Sequence, residues 1–222
     1  MLTIVATPIG NLGDISLRAL ETLKSVDGII CEDTRRAGIL LNHYEIKKPL
    51  LVLNDFNEFK TFPNIIERLK KGENLSLISD AGTPLISDPG FKLVRECIKD
   101  GIEVDSLPGA VSPVVALTLS GLAPDKFFFL GYLPDKEGHR KASYEKLKKI
   151  SQEISTTFIV FVAPFKLKRT LEEMAESLGD IEVTLAKELT KIHQKVETKK
   201  ISEWVKDFKT APKGEYIMLL KL

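Results

Sequence analysis

Five short apolar runs, each followed by a segment with helix signals, constrain this 222-residue chain more than any other feature of it. They occupy residues 2–6, 28–31, 50–53, 75–79 and 102–107. Runs that are apolar on both faces need cover on both faces, and crossover helices between successive strands supply it. The alternation therefore predicts a parallel α/β sheet. Ser16 precedes Leu17, Leu20 and Leu23 at helical spacing. Pro63 reads as the opening of a helix carrying Ile65, Ile66 and Leu69 that Gly72 ends. Ser87-Asp88-Pro89 reads as the cap and first turn of a helix with Phe91, Val94 and Ile98 on one face, closed by Gly101.

The pattern changes after Pro108-Gly109. Ser112-Pro113 starts an apolar helix that runs to Gly121, and a strand at 127–130 leads into a polar, basic loop at 133–141. Further strands are expected at 156–163, 181–186, 194–198 and 215–220, with helices at 166–178 and 202–208. Two neighbouring strands with no helix between them imply a mixed sheet. The fold class is α/β in two α/β domains, 1–112 and 113–222, the first with a mainly parallel sheet and the second with a mixed one.

Lys and Arg number 32 against 31 Asp and Glu, a formal net charge of +1. Non-specific phosphate binding needs a surplus of cations, so a histone-like nucleic-acid binder is excluded, although a local basic face is not. Divided at residue 110, the first half carries −3 and the second +4. Cys31 and Cys97 stand in apolar contexts with no CxxC or Cys/His cluster, and read as reduced core residues. No metal is assigned. Apolar stretches fall short of the ~18 residues of a membrane span, and the start shows no charged leader or cleavage site. The expectation is a cytoplasmic protein.

In an open parallel sheet, ligands bind beyond the carboxyl ends of the strands. The first strand ends in Thr7-Pro8-Ile9-Gly10-Asn11-Leu12-Gly13-Asp14. Gly10 and Gly13, with Glu32 downstream, resemble a dinucleotide turn, but Pro8 stands where the first glycine belongs and removes an N–H. The second strand ends in Glu32-Asp33-Thr34-Arg35-Arg36, vicinal carboxylates beside guanidinium groups. Such a set can orient a hydroxyl or hold a phosphate, and Asp33 or Thr34 also reads as a helix N-cap. The fourth run ends in Ser79-Asp80-Ala81-Gly82-Thr83-Pro84-Leu85-Ile86-Ser87-Asp88-Pro89-Gly90. Small residues let this backbone approach a ligand, and carboxylates without Lys or Arg suit a cationic cofactor such as S-adenosylmethionine better than a bare phosphate.

Taken together, residues 5–14, Glu32-Asp33-Thr34-Arg35, residues 79–90, Pro108-Gly109 and Ser120-Gly121-Leu122 resemble the ribosomal RNA small subunit methyltransferase I family of the tetrapyrrole-methylase superfamily, along essentially the whole chain. The resemblance implies 2′-O-methylation of a cytidine ribose in small-subunit ribosomal RNA, naked or in the assembled subunit, with S-adenosyl-L-methionine as cofactor. It also implies a homodimer whose protomers fold the cofactor between their two domains. It assigns cofactor binding to Pro8, Asp80, Ala81, Gly82, Thr83, Ile86, Ser87, Ser112 and Phe161. Glu32, Asp33 and Arg35 would face RNA. Lys187-Glu188-Leu189-Thr190-Lys191 matches the family's second-domain signature, and Leu133-Pro134 with Lys136, Gly138 and Arg140 matches its basic loop.

Loss of a proton from a ribose hydroxyl needs help from a base or a cation. Glu32 or Asp33 is the candidate base, and Lys187 or Lys191 the cation. Arg35, Arg140, Glu188 and Lys191 are the candidate substrate contacts, joined by Lys136, Lys141 and Lys195 for phosphates and by Tyr132, Phe165 or His193 for a splayed base. The chain departs from the family pattern at 161–166, which lacks an expected acid, histidine and arginine. It departs again at Asn54, Asp55 and Phe56, which replace histidines ahead of Asn57-Glu58. Three other readings share these residues: a tetrapyrrole methyltransferase, a nicotinamide-dependent oxidoreductase and a non-catalytic RNA-binding homologue.

Overall fold

The computed structural model describes the backbone of residues 1–54 and 58–222 and the side chains of 1–54 and 61–222. Asp55, Phe56 and Asn57, with the Glu58 side chain, lie outside the described residues. The chain divides into two units, Met1–Val111 and Ser112–Leu222. Among the described residues, no helix is long and apolar enough to cross a membrane.

The first unit runs β1 (Leu2–Val5), α1 (Leu17–Ser25), β2 (Gly28–Cys31), α2 (Thr34–His43), β3 (Leu50–Val52), α3 (Glu58–Lys70), β4 (Leu75–Leu77), α4 (Phe91–Lys99) and β5 (Val104–Leu107). Its sheet has the order β3-β2-β4-β1-β5 and every pairing is parallel. β1, β2 and β4 are buried at every position, the polar Thr3 and Ser76 included. Because these three strands are neighbours, the loops that follow them open side by side at the carboxyl edge of the sheet. Cys31 and Cys97 are both buried free thiols in the two apolar layers.

Helix starts are where the structure corrects the sequence pattern. Ser16 does cap α1, its hydroxyl accepting from the Ala19 N–H at 3.1 Å, and Asp33 caps α2. Pro63, however, lies inside α3, which begins at Glu58. Ser87 and Asp88 do not cap α4, whose N-cap is Gly90 in the left-handed region at φ 112° with no side-chain cap. The buried stripe of α4 is Leu93 and Cys97, with Val94 beside it, whereas Phe91 and Ile98 are 62% and 66% exposed. Leu93 and Cys97 stand one turn apart and are the buried residues of α4, with Val94 partly buried against the same core.

The second unit runs α5 (Ser112–Ser120), β6 (Phe127–Tyr132), α6 (Glu137–Glu153), β7 (Thr157–Val162), α7 (Pro164–Leu178), β8 (Glu182–Lys187), β9 (Lys195–Lys200), α8 (Ile201–Asp207) and β10 (Tyr216–Leu220). Its sheet is mixed, in the order β6-β7-β10-β8-β9, with β6 parallel to β7 and the other pairs antiparallel. One face, with Phe158, Val160, Val183, Leu185 and Met218, packs on Tyr144 and Leu147 of α6, Leu167 and Leu171 of α7, and Trp204 of α8. The basic loop expected at 133–141 ends earlier, because Glu137 already begins the 17-residue α6.

Candidate active site

The loop after β4 is built against two others of the first unit. Thr7 and Gly82 exchange backbone hydrogen bonds, the Thr7 N–H donating to the Gly82 carbonyl at 2.8 Å and the Gly82 N–H to the Thr7 carbonyl at 3.1 Å. The Thr83 hydroxyl donates to the Ala110 carbonyl at 3.1 Å. Gly82 has φ +83°, and a Cβ there would lie 3.2 Å from Ile9 Cγ2 and 3.4 Å from the Ala110 oxygen. Gly109 approaches β1 closely enough that a Cβ would fall 2.7 Å from that of Ala6. Two non-glycine residues further along, Leu85 and Ser87, hold φ of 74° and 66°. Strain of that kind persists only where the surroundings enforce it, and it clusters at sites that bind or react.

Among the residues expected to bind cofactor, Pro8 and Gly82 are buried, Asp80 and Thr83 half-buried, and Ala81, Ile86 and Ser87 exposed. Burial raises the Asp80 carboxyl above the usual carboxylate range, although the Arg36 guanidinium, 3.3 Å away, opposes the shift. Asp88 is raised as well, again by burial, with a hydrogen bond to Ser79 working the other way. Burial thus disfavours the ionised form of both carboxyls, and Asp80 has the Arg36 guanidinium as its counter-ion. Sequence reasoning missed Thr7 as the residue that bridges two of these loops, and Arg36 as the partner of Asp80.

At the end of β2, Asp33 is committed. It accepts from the Arg35 N–H at 2.8 Å and grips the Arg35 guanidinium through Nε at 3.0 Å and Nη2 at 2.6 Å. The side-chain bond to Arg35 holds its carboxyl at about 2. Glu32, adjacent and half-buried, is not the cap.

In the second unit, Ser112 is the first residue of α5. Phe161 stacks edge-on with Phe129 at 4.9 Å and lies 5.4 Å from the Tyr132 ring. Lys187 stands 5.7 Å from the Tyr216 ring centroid. The register aligns Tyr216 with Val162 and Lys187, and Ile217 with Phe161 and Ala186. Side chains alternate across a sheet, so Phe161 and Lys187 project from opposite faces, and the structure does not bring them together.

Glu188 and Lys191 form an internal brace. Glu188 Oε1 accepts from the Glu215 N–H at 2.8 Å and from Lys191 Nζ at 3.1 Å, and Lys191 also reaches Glu215 Oε2 at 2.8 Å. The Glu215 backbone bond holds the Glu188 carboxyl below the usual range. Glu188 and Thr190 have φ of 49° and 62°, so the turn after β8 is strained and tied down. Both side chains help to hold that turn, Glu188 the more buried of the two at 20% and Lys191 at 31% exposure.

For Arg140 the expected substrate contact is corrected. It is 4% exposed, its Nε and Nη2 each 2.6 Å from Glu173 oxygens, and its Nη1 donates to the Pro134 carbonyl at 3.1 Å and to that of Asp135. A guanidinium with all its edges occupied inside the fold does not bind a phosphate of the substrate.

The model of the tetrapyrrole (corrin/porphyrin) methylases matches residues 1–204. The chain is 47% identical over its full length to the ribosomal RNA small subunit methyltransferase I of Haemophilus influenzae, covering 78% of that protein. With the proteins of the same name from Thermotoga maritima and Bacillus subtilis it shares 46% and 42% identity, covering 97% and 75% of them and 99% and 100% of itself. A crystal structure of diphthine synthase superposes with a TM-score of 0.79 over 99% of this chain and 89% of that one, at 16% identity, and so shares the fold. The nicotinamide-dependent reading gives way to these matches: the chain belongs to the tetrapyrrole methylases, and within them to the ribosomal RNA small subunit methyltransferase I family.

Proposed function

We propose that this chain methylates small-subunit ribosomal RNA, with S-adenosylmethionine as donor and the 2′-hydroxyl of a cytidine ribose as acceptor. The observation that carries this reading is identity of 42–47%, running the length of the chain, to methyltransferases of that name. The residues of the first unit fit the donor. Its sulfonium and ammonium groups are cationic, and Asp80 and Asp88 offer carboxyls that a bound cation would help to ionise. Gly82 lets the loop after β4 close against Ile9 and Ala110, and Pro8, Ala81, Thr83, Ile86 and Ser87 are the other first-unit residues assigned to the donor.

When bound, the donor supplies an electrophilic methyl group for in-line displacement, and orientation contributes much of the rate. This chain's part includes accepting the hydroxyl proton. We assign that to Glu32, because Asp33 caps α2 and is held at about 2 by Arg35, too weak a base for the task. Asp33 instead fixes Arg35, which remains exposed for the RNA. We assign Lys187, 5.7 Å from the Tyr216 ring centroid, to phosphate contact. We assign the active form to a homodimer in the cytoplasm, where its substrate is assembled.

The test incubates the protein with labelled S-adenosylmethionine and unmodified small subunits, then maps the labelled nucleotide by mass spectrometry. A ribose methyl on one cytidine is the expected result. Label on a base, on a tetrapyrrole or on nothing overturns the reading.

A further inference from the structure

The second unit carries a cavity of about 420 Å³ at the carboxyl ends of the parallel strands β6 and β7, where α7 begins. Its wall includes two aromatic residues, Tyr132, which is 64% exposed at the end of β6, and Phe161. Its rim is cationic. Lys166 is bonded to the exposed Asp135, and Arg169 is half-exposed, with its Nε 3.8 Å from Glu173. Glu173 already receives two short bonds from Arg140, so the Arg169 guanidinium keeps most of its donors for a ligand. The N-cap of α7, Ala163, offers no side-chain acceptor, and the helix start adds positive potential to the same opening. Arg140 lines the cavity from within and holds the Pro134 and Asp135 carbonyls, which fixes one wall.

We propose that this cavity receives a splayed-out nucleotide of the RNA, its base against Tyr132 and Phe161 and its phosphate at Arg169 and Lys166, with Arg140 as the positioning residue. The inference rests on the reading that the acceptor is ribosomal RNA, and it moves Phe161 from the cofactor to the substrate. The volume is in the range of pockets that enclose small ligands, and stacking on aromatic rings is how proteins hold unpaired bases. A cationic rim disfavours a donor that itself carries a sulfonium and an ammonium, and favours a phosphate.

The test measures two affinities for the full chain, neither of which requires methyl transfer. One is for S-adenosylmethionine by calorimetry. The other is for unmodified small-subunit ribosomal RNA by filter binding across a salt series. Arg169→Ala should weaken RNA binding about tenfold and reduce the slope of log K against log salt by about 0.7, the value of one lost single-strand phosphate contact. Tyr132→Ala should weaken RNA binding about 5- to 100-fold, and Tyr132→Phe should restore it. Cofactor affinity and melting temperature should stay at wild-type values in all three. Weaker cofactor binding with RNA affinity intact would make the cavity part of the donor site and overturn the proposal, as would variants that change neither affinity. A wild-type chain that binds neither this RNA nor the assembled small subunit overturns the functional reading together with the cavity. Wild-type binding that the variants retain overturns the cavity alone.

Discussion

Gly82 combines a backbone conformation at φ +83°, a two-way hydrogen bond to Thr7 and two close neighbours that leave little room for a methyl group. Gly82→Ala should therefore lower cofactor affinity at least tenfold while costing about 1–2 kcal/mol of stability, since strained φ values cost on that scale. Calorimetry and thermal melting separate the two effects. Asp33 offers a pH experiment. Its carboxyl sits at about 2 in the fold against an ordinary 3.8, so the ionised form is favoured by folding. Its contribution is complete above the ordinary value and disappears as pH falls through about 2. Asp33→Asn keeps a competent helix cap but loses the pairing with Arg35. Melting temperatures of wild type and variant should differ at pH 6 and converge towards pH 2, and a constant difference across that range would refute the assignment.

At the scale of elements, the Arg140–Glu173 pair ties α6 to α7 and to the loop that precedes α6. Arg140→Ala strands a carboxylate in the interior, which costs about 3 kcal/mol or more, whereas Arg140→Met with Glu173→Leu should recover most of that stability. Denaturant melts decide this, and a double variant no better than the single one would refute it. The same pair shows why parts of the fold were hidden in the sequence. The ten strands among the described residues overlap the expected runs, most of which are apolar, although β9, Lys195–Lys200, carries little apolar signal of its own. α6 was not legible, because only Arg140, Tyr144 and Leu147 are buried on a 17-residue helix, too few to mark a face. An arginine there reads as solvent-facing until a glutamate 33 residues away is found against it. Pro63 and Ser87 misled for a related reason: local propensity suggests where a helix can start without fixing where it does, and Pro63 lies inside α3 while Gly90 is the N-cap of α4. The candidate site was legible where it is one loop, at 79–90. Its dependence on Thr7, Arg36 and Ala110 is long-range, and no local spacing encodes that.

For the molecule as a whole, the net charge of +1 divides into −3 on Met1–Val111 and +4 on Ser112–Leu222. Much of the second unit's basic charge is already paired. Lys191 joins Glu188 and Glu215, Lys199 joins Asp207, Lys195 joins Glu197 and Lys141 joins Glu137. Exposed pairs are worth little and exchange partners readily, so these lysines can trade a carboxylate for a phosphate, with less gain than an unpaired cation would have. RNA binding by this chain should accordingly depend on few phosphates. With about three to five contacts to single-stranded RNA, the slope of log K against log salt should be about −2 to −3.5, far from the slope near −10 of a strongly cationic binder. At the proposed donor site, with half-buried Asp80 and Asp88, cofactor affinity should fall less than threefold over the same salt range, because half-buried pairs are weakly screened. A salt series on both ligands tests the two statements together. A steep RNA slope would mean that the paired lysines give up their carboxylates for phosphates, and a cofactor affinity falling in parallel would place the donor among exposed charges instead of in the loop that Gly82 and Thr7 close.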